Sequence, residues 1–233
     1  MKKIFTLTAL SIIFSSLAAQ NGRYKPSLSF GVQVVQPLGQ FANQYDGYPA
    51  GLAGTFVGHL GNSPFAVGVD AAWNSMGSQS EDVPVYIGQD SDGDDMFEQG
   101  TMKIKSNHNR FHAIGRFSPF HGSFQIYVDA IAGFGTFATK TKIELEDGTY
   151  TDATGTNRYH WDVALNAGWA AGLKIELADN VFLEGRFESI RGSKTTFVNP
   201  ETISVVNDSE IEFETLESAT DVYSYLLGIS FEF

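Results

Sequence analysis

A run of carboxylates between Asp90 and Asp95 contains the residues best suited to bind a metal ion. The candidate ligands are Asp90, Asp92, Asp94 and Asp95, and carboxylate oxygens are the hard ligands that Ca²⁺ prefers. The spacing departs from the helix–loop–helix calcium pattern, because Gly93 precedes the third acid and Thr101 stands at the twelfth position in place of glutamate. The sequence therefore favours a solvated acidic loop tip, with weak calcium binding as the alternative.

Histidines offer two further candidate sites. His108 and His112 are four residues apart, a spacing that brings two zinc ligands together on a helix. On a strand the same spacing separates them by about 13 Å, which is too far for one ion. His160 and Asp162 are the one pair near a predicted rim that could serve acid–base chemistry. We find no stronger catalytic motif, so we predict that the protein is not an enzyme and holds no cofactor.

Charged residues also lie in the middle of segments that read as β-strands. They are Asp70, Arg110, Arg116, Asp129, Lys174, Glu176, Glu184, Arg186 and Glu188. Successive side chains on a strand point to opposite faces. In each of these segments the charges share one face, and the opposite face over the same span carries none. The elements that position these charges are therefore two-sided strands.

The last stretch, Asp221 to Phe233, gives the strongest strand signal. Tyr223, Tyr225, Leu227, Ile229, Phe231 and Phe233 alternate with residues that are mostly small or polar. The run is as long as the ~9–11 residues that a tilted strand needs to cross a bilayer. It therefore predicts a membrane-crossing strand with one apolar face.

Seven more segments with the same alternation precede it. They cover residues 27–36, 51–60, 65 to about 74, about 108–117, 124 to at least 137, 161–177 and 181–188. The connections alternate between short turns and longer polar stretches, and residues 75–103 and 192–220 are predicted as long loops. Membrane barrels have an even number of strands, with short turns at one end and long loops at the other. The predicted fold class is all-β, an eight-stranded antiparallel up-and-down transmembrane barrel.

The beginning and the composition of the chain agree with export to a membrane outside the cytoplasm. Lys2 and Lys3 precede an apolar run from Ile4 to Leu17 and then small residues, which is the pattern of a cleaved signal peptide. We therefore predict a leader over residues 1–19 and the barrel over residues 20–233. The 233 residues include no cysteine, which excludes disulfides and thiol chemistry. The net charge of −12 makes nucleic acid an improbable partner.

The charged faces can point inward or outward. In a soluble β-protein they would be the solvated exterior, whereas in a membrane barrel they fill the interior. An eight-stranded barrel is only wide enough for side chains to fill, so the charges would pair across the lumen. A tight turn at residues 178–180 would place Lys174 opposite Glu184. This pairing predicts a network of alternating charges that consists of Lys174, Glu184, Arg186 and Glu188.

The chain resembles the small outer-membrane barrels of the OmpX-like and OmpA-like groups, and it is most similar to the outer-membrane β-barrel domain common in the Bacteroidetes. The resemblance rests on Gly31-Val32-Gln33, Pro37 to Ala42 with Tyr45, the glycine-rich strands near Gly133 and Gly168, and the final Phe231-Glu232-Phe233. It implies an outer-membrane location and a single barrel without a cofactor. The residues implied as the insertion signal are Tyr225, Leu227, Ile229, Phe231 and Phe233.

The resemblance also implies partners, but it leaves the task open. The implied partners are outer-membrane lipid and lipopolysaccharide, the barrel-assembly machinery during insertion, and other outer-membrane proteins. The favoured function is surface contact through the loops or envelope integrity. The alternatives are an accessory subunit of a secretion or assembly machine and a lipid-modifying enzyme.

Overall fold

The computed structural model describes residues 24–45, 47–145, 158–198, 202, 204–206, 210–212 and 214–233. The predicted leader, 1–19, lies outside these residues and stays a prediction. Among the described residues, no helix is long and apolar enough to span a bilayer.

Twelve strands and one short helix make up the described chain. The strands are β1 Ser27–Pro37, β2 Ala50–His59, β3 Phe65–Gln89, β4 Asp95–Phe117, β5 Phe124–Leu145, β6 Arg158–Ala178, β7 Val181–Gly192, β8 Lys194–Val198, β9 Ser204–Val206, β10 Glu210–Glu212, β11 Thr215–Ala219 and β12 Val222–Glu232, and the helix α1 is Gly39–Gln44. Eight of the strands, β1 to β7 and β12, close into one antiparallel barrel. The predicted fold class is confirmed.

The barrel closes where the first strand meets the last. Every residue of β1 has a partner on β12, from Ser27 opposite Glu232 to Pro37 opposite Val222. Closure leaves no free edge within the barrel, so backbone groups that could not bond to lipid bond to a neighbouring strand instead. The short turns that follow β2, β4 and β6 lie at one end of the barrel, which we call the short-turn end. The other connections lie at the long-loop end.

Two strands extend much further than the sequence predicts. Residues 75–103, predicted as a polar loop, continue β3 and β4 as a paired hairpin from Phe65 opposite Phe117 up to Gln89 opposite Asp95. Its inward face joins a small apolar core that consists of Val83, Val85, Met102, Ile104, Ile143 and Val198. This core replaces lipid as the environment that buries one face of the hairpin, which is why the ladder persists beyond the membrane.

Among the described strands, the outer part of β3 pairs only with β4 and so forms a free edge, because β2 begins at Ala50, opposite Ser75. A free edge can pair with another chain. Here it is interrupted by register shifts near Gly77 and Gly88, and it contains Pro84, which cannot donate to a ladder. These features oppose unwanted strand pairing.

The connections at residues 178–180 and 192–220 also differ from the prediction. Ala178 pairs directly with Val181, with a register shift after Glu176. A three-residue turn at residues 178–180 would instead pair Leu177 with Val181, and this expectation from the sequence is wrong by one residue. Asn180 has φ 61°, as such a tight turn requires. In the long connection, β8 pairs with β11 and β9 pairs with β10. The predicted hairpin tip at Glu146-Asp147-Gly148 lies outside the described residues.

The outside of the barrel is apolar. Large hydrophobic side chains are exposed there, including Phe30, Val32, Leu52, Val69, Trp73, Phe111, Phe134, Leu165, Trp169, Leu173 and Leu227. Phe124 and Phe134 are about ten residues apart on β5. At a rise of ~3.4 Å and a tilt of 35–45° this spacing corresponds to about 25 Å of height, the thickness of the apolar band of such barrels. The exterior therefore faces lipid, as the charge distribution predicts.

Candidate functional site in the barrel lumen

Eight ionisable side chains from five strands fill the middle of the barrel. They are Asp70 on β3, Arg110 and Arg116 on β4, Asp129 on β5, Lys174 on β6, and Glu184, Arg186 and Glu188 on β7, and each is at most 3% exposed. Four are acidic and four are basic, so their formal charges cancel. Each lies on the face opposite to the lipid-facing side chains because of the two-residue period of its strand.

Arg186 is the centre of this group. Its guanidinium nitrogens lie 3.3 Å from an Asp70 oxygen, 3.2 Å from an Asp129 oxygen and 3.1 Å from a Glu188 oxygen. It also donates a hydrogen bond of 2.8 Å to the Thr55 hydroxyl. One cation therefore joins carboxylates from β3, β5 and β7, which ties together strands that are not neighbours in the sheet.

Arg116 makes the most regular ion pair. Its Nε and Nη2 atoms donate to the two carboxylate oxygens of Asp129 at 2.7 and 2.9 Å, the bidentate geometry that charge-assisted pairs favour. Its guanidinium carbon also lies 3.5 Å from the centre of the Tyr127 ring, a cation–π contact. Asp129 is thereby shared between Arg116 and Arg186.

Arg110 extends the network towards the long-loop end. It donates to Glu188 at 2.9 Å and to the Ser224 hydroxyl on β12 at 3.0 Å. Because Glu188 also faces Arg186, the two arginines share one carboxylate. The network thus reaches the strand that closes the barrel.

Lys174 and Glu184 lie towards the short-turn end. They are directly opposite each other on β6 and β7, as the sequence predicts. Lys174 donates to the Ser27 hydroxyl at 3.0 Å and lies 3.8 Å from a carboxylate oxygen of Glu232. Glu184 accepts a hydrogen bond from the Tyr127 hydroxyl. Of the predicted alternating network, Arg186 contacts Glu188 at 3.1 Å, whereas Glu184 bonds to Tyr127 on β5 and Lys174 bonds to partners on β1 and β12.

Glu176 does not belong to the lumen group. It is partly exposed at the short-turn end and accepts a hydrogen bond of 2.7 Å from Ser123. The register shift between Glu176 and Ala178 lies at this point of the strand. The structure therefore corrects the predicted assignment of Glu176 to the lumen network.

The two histidines on β4 point into the lumen and contact different groups. His112 lies 3.4 Å from Asp70 and 3.2 Å from the side-chain amide of Asn166. His108 stacks on the ring of Phe137, with 4.4 Å between the ring centres. They therefore line the lumen beside the charges instead of converging on one ion.

An apolar layer covers the charges at the long-loop end. The helix α1 inserts Phe41, which is fully buried and packs edge-to-face on Phe137 with 5.6 Å between ring centres. The layer consists of Val35, Phe41, Phe137, Ala164, Ile190 and Val222. The sequence pattern does not indicate that this aromatic ring inserts over the charges.

The rim pair His160 and Asp162 holds a neighbouring strand. Asp162 accepts hydrogen bonds of 2.8 Å from the backbone N–H groups of Val163 and Thr196. The Nε2 atom of His160 lies 3.2 Å from the Thr196 carbonyl oxygen. Both side chains thus hold β8 against β6, and this structural role accounts for their positions.

The acidic loop tip is organised by Asp90. Its Oδ1 atom accepts hydrogen bonds from the backbone N–H groups of Asp92 at 2.9 Å and Asp94 at 3.0 Å. The N–H groups of Asp94, then Asp92, lower the pKa of this carboxyl below its usual value. Within the described part of the chain, no group of three or more acids, histidines or cysteines is placed to hold a metal ion. Calcium binding by Asp90, Asp92, Asp94 and Asp95 stays a prediction.

The residues of the predicted insertion signal occupy one face of the closing strand. Tyr225, Leu227, Phe231 and Phe233 are exposed on the lipid-facing side, and Ile229 on the same face is partly exposed. The intervening Ser224, Leu226 and Ser230 are buried in the lumen. Their role in insertion stays a prediction.

The sequence did not lead us to predict the uncharged hydrogen-bond partners of the buried charges. Thr55, Tyr127 and Ser224 carry no charge, yet each donates to or accepts from a buried ion. The available signal was their position on the same strand face as the charges.

Comparison with known proteins supports the fold. No family model and no curated protein matches the chain. A major outer-membrane protein of Thermus thermophilus has a similar structure, with a TM-score of 0.52, 9% identity, and 90% of this chain and 100% of the other covered. OprG of Pseudomonas aeruginosa gives a TM-score of 0.44 at 13% identity, covering 90% and 95%. The attachment invasion locus protein Ail of Yersinia pestis gives 0.39 at 14%, covering 90% and 97%.

The closed barrel and its apolar exterior define the class of the protein. It has the fold of the small eight-stranded outer-membrane barrels. In barrels of this class the short turns face the periplasm and the long loops face outward. The narrower grouping with the Bacteroidetes domain stays a prediction.

The opposed pair on β6 and β7 permits a test of the lumen register. Glu184→Ala should lower the free energy of unfolding, and Lys174→Ala should add less to this loss than it costs alone, because opposite charges in directly opposed strand positions are coupled, by ~0.5–3 kcal/mol within one network. Urea unfolding in detergent micelles measures each variant and the double variant. Glu184→Ala combined with Arg191→Ala is the control, because Arg191 is exposed and pairs with Asp221. Equal additivity in both cycles would contradict the coupling.

Proposed function

We propose that the protein is a closed, non-enzymatic outer-membrane barrel that acts as a rigid support for its long loops, in surface contact or envelope integrity. The observation that carries this proposal is the neutral group of eight buried charges, whose central member Arg186 contacts three carboxylates. A residue set of this kind occupies the space that a pore would need.

The energetics of the buried charges favour a closed lumen. Removing one member of a buried ion pair leaves a desolvated charge and costs roughly 3–5 kcal/mol. A solute that crossed the barrel would have to separate several such pairs at once. In addition, it would have to displace Phe41 and the apolar layer around it. The two layers act in series, so we infer that the barrel does not conduct.

The strands that extend beyond the membrane at the long-loop end support a function in surface contact. The β3–β4 hairpin has its own apolar core with Val83, Val85 and Met102. Strands β8 and β11 form a second paired segment at the same end. Packed strands present side chains in fixed positions, which lowers the entropic cost of binding a surface.

Liposome swelling tests the closed barrel. Liposomes that contain the protein should swell in an isotonic arabinose solution no faster than empty liposomes, because the lumen is filled. A general porin at equal protein mass is the positive control. Swelling that increases with the amount of protein would contradict the proposal.

The absence of enzymatic activity needs a separate test. A strain without the protein should keep the lipid species of its parent, as measured by mass spectrometry of outer-membrane extracts. A lipid species that disappears on deletion and returns with the wild-type protein, but not with His160→Ala, would support the lipid-modifying alternative.

A further inference from the structure

A groove of about 400 Å³ lies in the lipid-facing surface of the barrel, across strands β5, β6 and β7. The outward-facing residues that line it are Phe124, Ile126, Ala171, Leu173, Gly185 and Phe187. Leu173 lies directly opposite both Ile126 and Gly185, so the groove extends over all three strands. These residues are on the strand faces opposite to the lumen charges, and the groove is therefore separate from the lumen site.

The depth of the groove comes from two small residues between larger ones. A Cβ atom added at Gly185 would meet nothing within 4 Å, and the side chain of Ala171 is a single methyl group. Phe187 forms one wall, and its ring centre lies 5.5 Å from that of Trp169 and 5.5 Å from that of Tyr225. Packing against these rings holds Phe187 in place as a wall of the groove.

The surroundings of the groove in a membrane are acyl chains. Covering apolar surface with lipid gives no hydrophobic driving force, because lipid tails are equally apolar. A chain that follows the groove nevertheless gains van der Waals contacts on the floor and both walls, and an empty groove would lose these contacts. One ordered acyl chain is therefore the occupant that fits the groove and its place in the membrane.

The short-turn end of the same strands offers carboxylates to the headgroup of such a lipid. Glu176 lies near the end of β6 and Asp179 in the turn to β7; the first is partly exposed and the second exposed. Glu176 is three residues beyond Leu173 on β6, which corresponds to about 8 Å along the membrane normal at the rise and tilt used above. Because a headgroup layer is about 5–8 Å deep, the two acids lie at headgroup level when a chain occupies the groove.

The charges at this end indicate which headgroup fits. The turns at residues 118–123 and 178–180 contain no lysine and no arginine. Lys25 approaches the second turn from the N-terminal side and donates a hydrogen bond of 2.7 Å to Asn180. A headgroup with an ammonium group and a phosphate matches the two acids and this lysine, whereas the acids repel an anionic headgroup that has no ammonium group.

We propose that the groove binds one acyl chain of a phospholipid with an ethanolamine headgroup, whose ammonium group pairs with Glu176 and Asp179. A primary ammonium group has three N–H donors for carboxylates, which a quaternary ammonium group lacks. The lipid belongs to the leaflet at the short-turn end. The inference goes beyond the proposed function and is independent of it, because it requires an inserted barrel but not a closed lumen.

Native mass spectrometry of the delipidated protein in a mild detergent, with added phosphatidylethanolamine, tests the groove. Gly185→Leu should bind the first lipid at least about fivefold more weakly than the wild type, because the displaced chain loses on the order of ten atom contacts. Gly115→Leu is the matched control, since a Cβ atom there also meets nothing within 4 Å but Gly115 lies outside the groove. Equal affinities of the two variants would overturn the proposal.

A second pair of variants keeps the test decisive if Gly185→Leu does not fold. Ala171→Leu fills the same groove from β6, and Ala113→Leu, at an exposed position on the lipid-facing side of β4, is its control. The gel mobility of unheated protein verifies that each variant is folded. The proposal fails if these two variants bind the lipid equally. It also fails if the lipid-free wild type is a dimer that Ala171→Leu converts to monomers, because a second copy of the chain would then occupy the groove.

The headgroup assignment is tested by changing the lipid. The wild type should bind phosphatidylethanolamine about threefold more tightly than phosphatidylglycerol or phosphatidylcholine with the same acyl chains, as expected for exposed ion pairs. E176Q/D179N should lose this preference. D92N/D94N, with the same change of charge at the exposed tip between β3 and β4, should keep it. An equal preference in both double variants, or none in the wild type, would refute the pairing of the ammonium group with these acids.

Discussion

Replacement of Arg186 by glutamine is expected to lower the free energy of unfolding by about 3–5 kcal/mol. The guanidinium lies within 3.3 Å of Asp70, Asp129 and Glu188, all of them buried. Glutamine can hydrogen-bond to these groups but cannot neutralise them. The substitution would leave an excess of negative charge in a lumen that otherwise has equal numbers of acids and bases. Urea unfolding in detergent micelles, followed by tryptophan fluorescence, measures the loss.

Arg191→Gln is the matched control for this variant. Arg191 lies on the same strand and also forms an ion pair, with Asp221 at 2.6 Å, but its side chain is 70% exposed. Exposed pairs contribute about 0–1 kcal/mol. If both variants lost stability equally, burial of the Arg186 pairs could not be the source of their energy.

Replacement of Gly51 by valine is expected to prevent formation of the folded barrel. Gly51 lies on the lumen side of β2, opposite Asn74 of β3. A Cβ atom there would overlap the carbonyl oxygen and carbonyl carbon of Trp73. These are backbone atoms of a paired strand, so they can move only if the ladder between β2 and β3 opens. The unheated variant should lack the shifted SDS gel mobility that a folded barrel shows.

Gly115→Val serves as the comparison. Gly115 is also in a barrel strand, but a Cβ atom there would meet nothing within 4 Å. Its position on β4 faces lipid, as do those of Ala113 and Phe117. This variant should fold and keep the mobility shift. A folded Gly51→Val protein, or an unfolded Gly115→Val protein, would contradict the close strand approach inside the barrel.

The membrane part of the fold could be predicted from the sequence because lipid imposes a strict pattern. Every lipid-facing position must be apolar or small, so the two-residue period is clear in segments such as β6 and β12. The outward exposure of Leu165 and Leu227 and the burial of Lys174 and Ser224 follow directly from it. The predicted pairing of Lys174 with Glu184 is observed although the predicted turn is not, because the register shift between Glu176 and Ala178 offsets the shorter turn.

The hairpin beyond the membrane could not be predicted in the same way. Its outer face meets water, so polar residues occupy most of it and obscure the alternation. Only the pairs Val83 with Val85 and Met102 with Ile104 indicate a buried face, and their apolar partners Ile143 and Val198 come from distant parts of the chain.

The contacts between charged side chains in the lumen could not be predicted from the sequence either. Strand direction shows that Arg186 points inward, but its contacts with Asp70 and Asp129 join strands that are not adjacent in the sheet. Such contacts depend on barrel diameter and strand stagger. The insertion of Phe41 over the charges likewise depends on how α1 folds back.

The conductance of single proteins in a planar lipid bilayer tests the closed lumen most directly. The proposal is that the buried ion pairs and the layer around Phe41 close the lumen, so the wild-type protein should insert in 1 M KCl without producing current steps. Insertion is verified independently by protease protection of the barrel strands. Uniform current steps that scale with salt concentration would show that the lumen is open and would contradict this account.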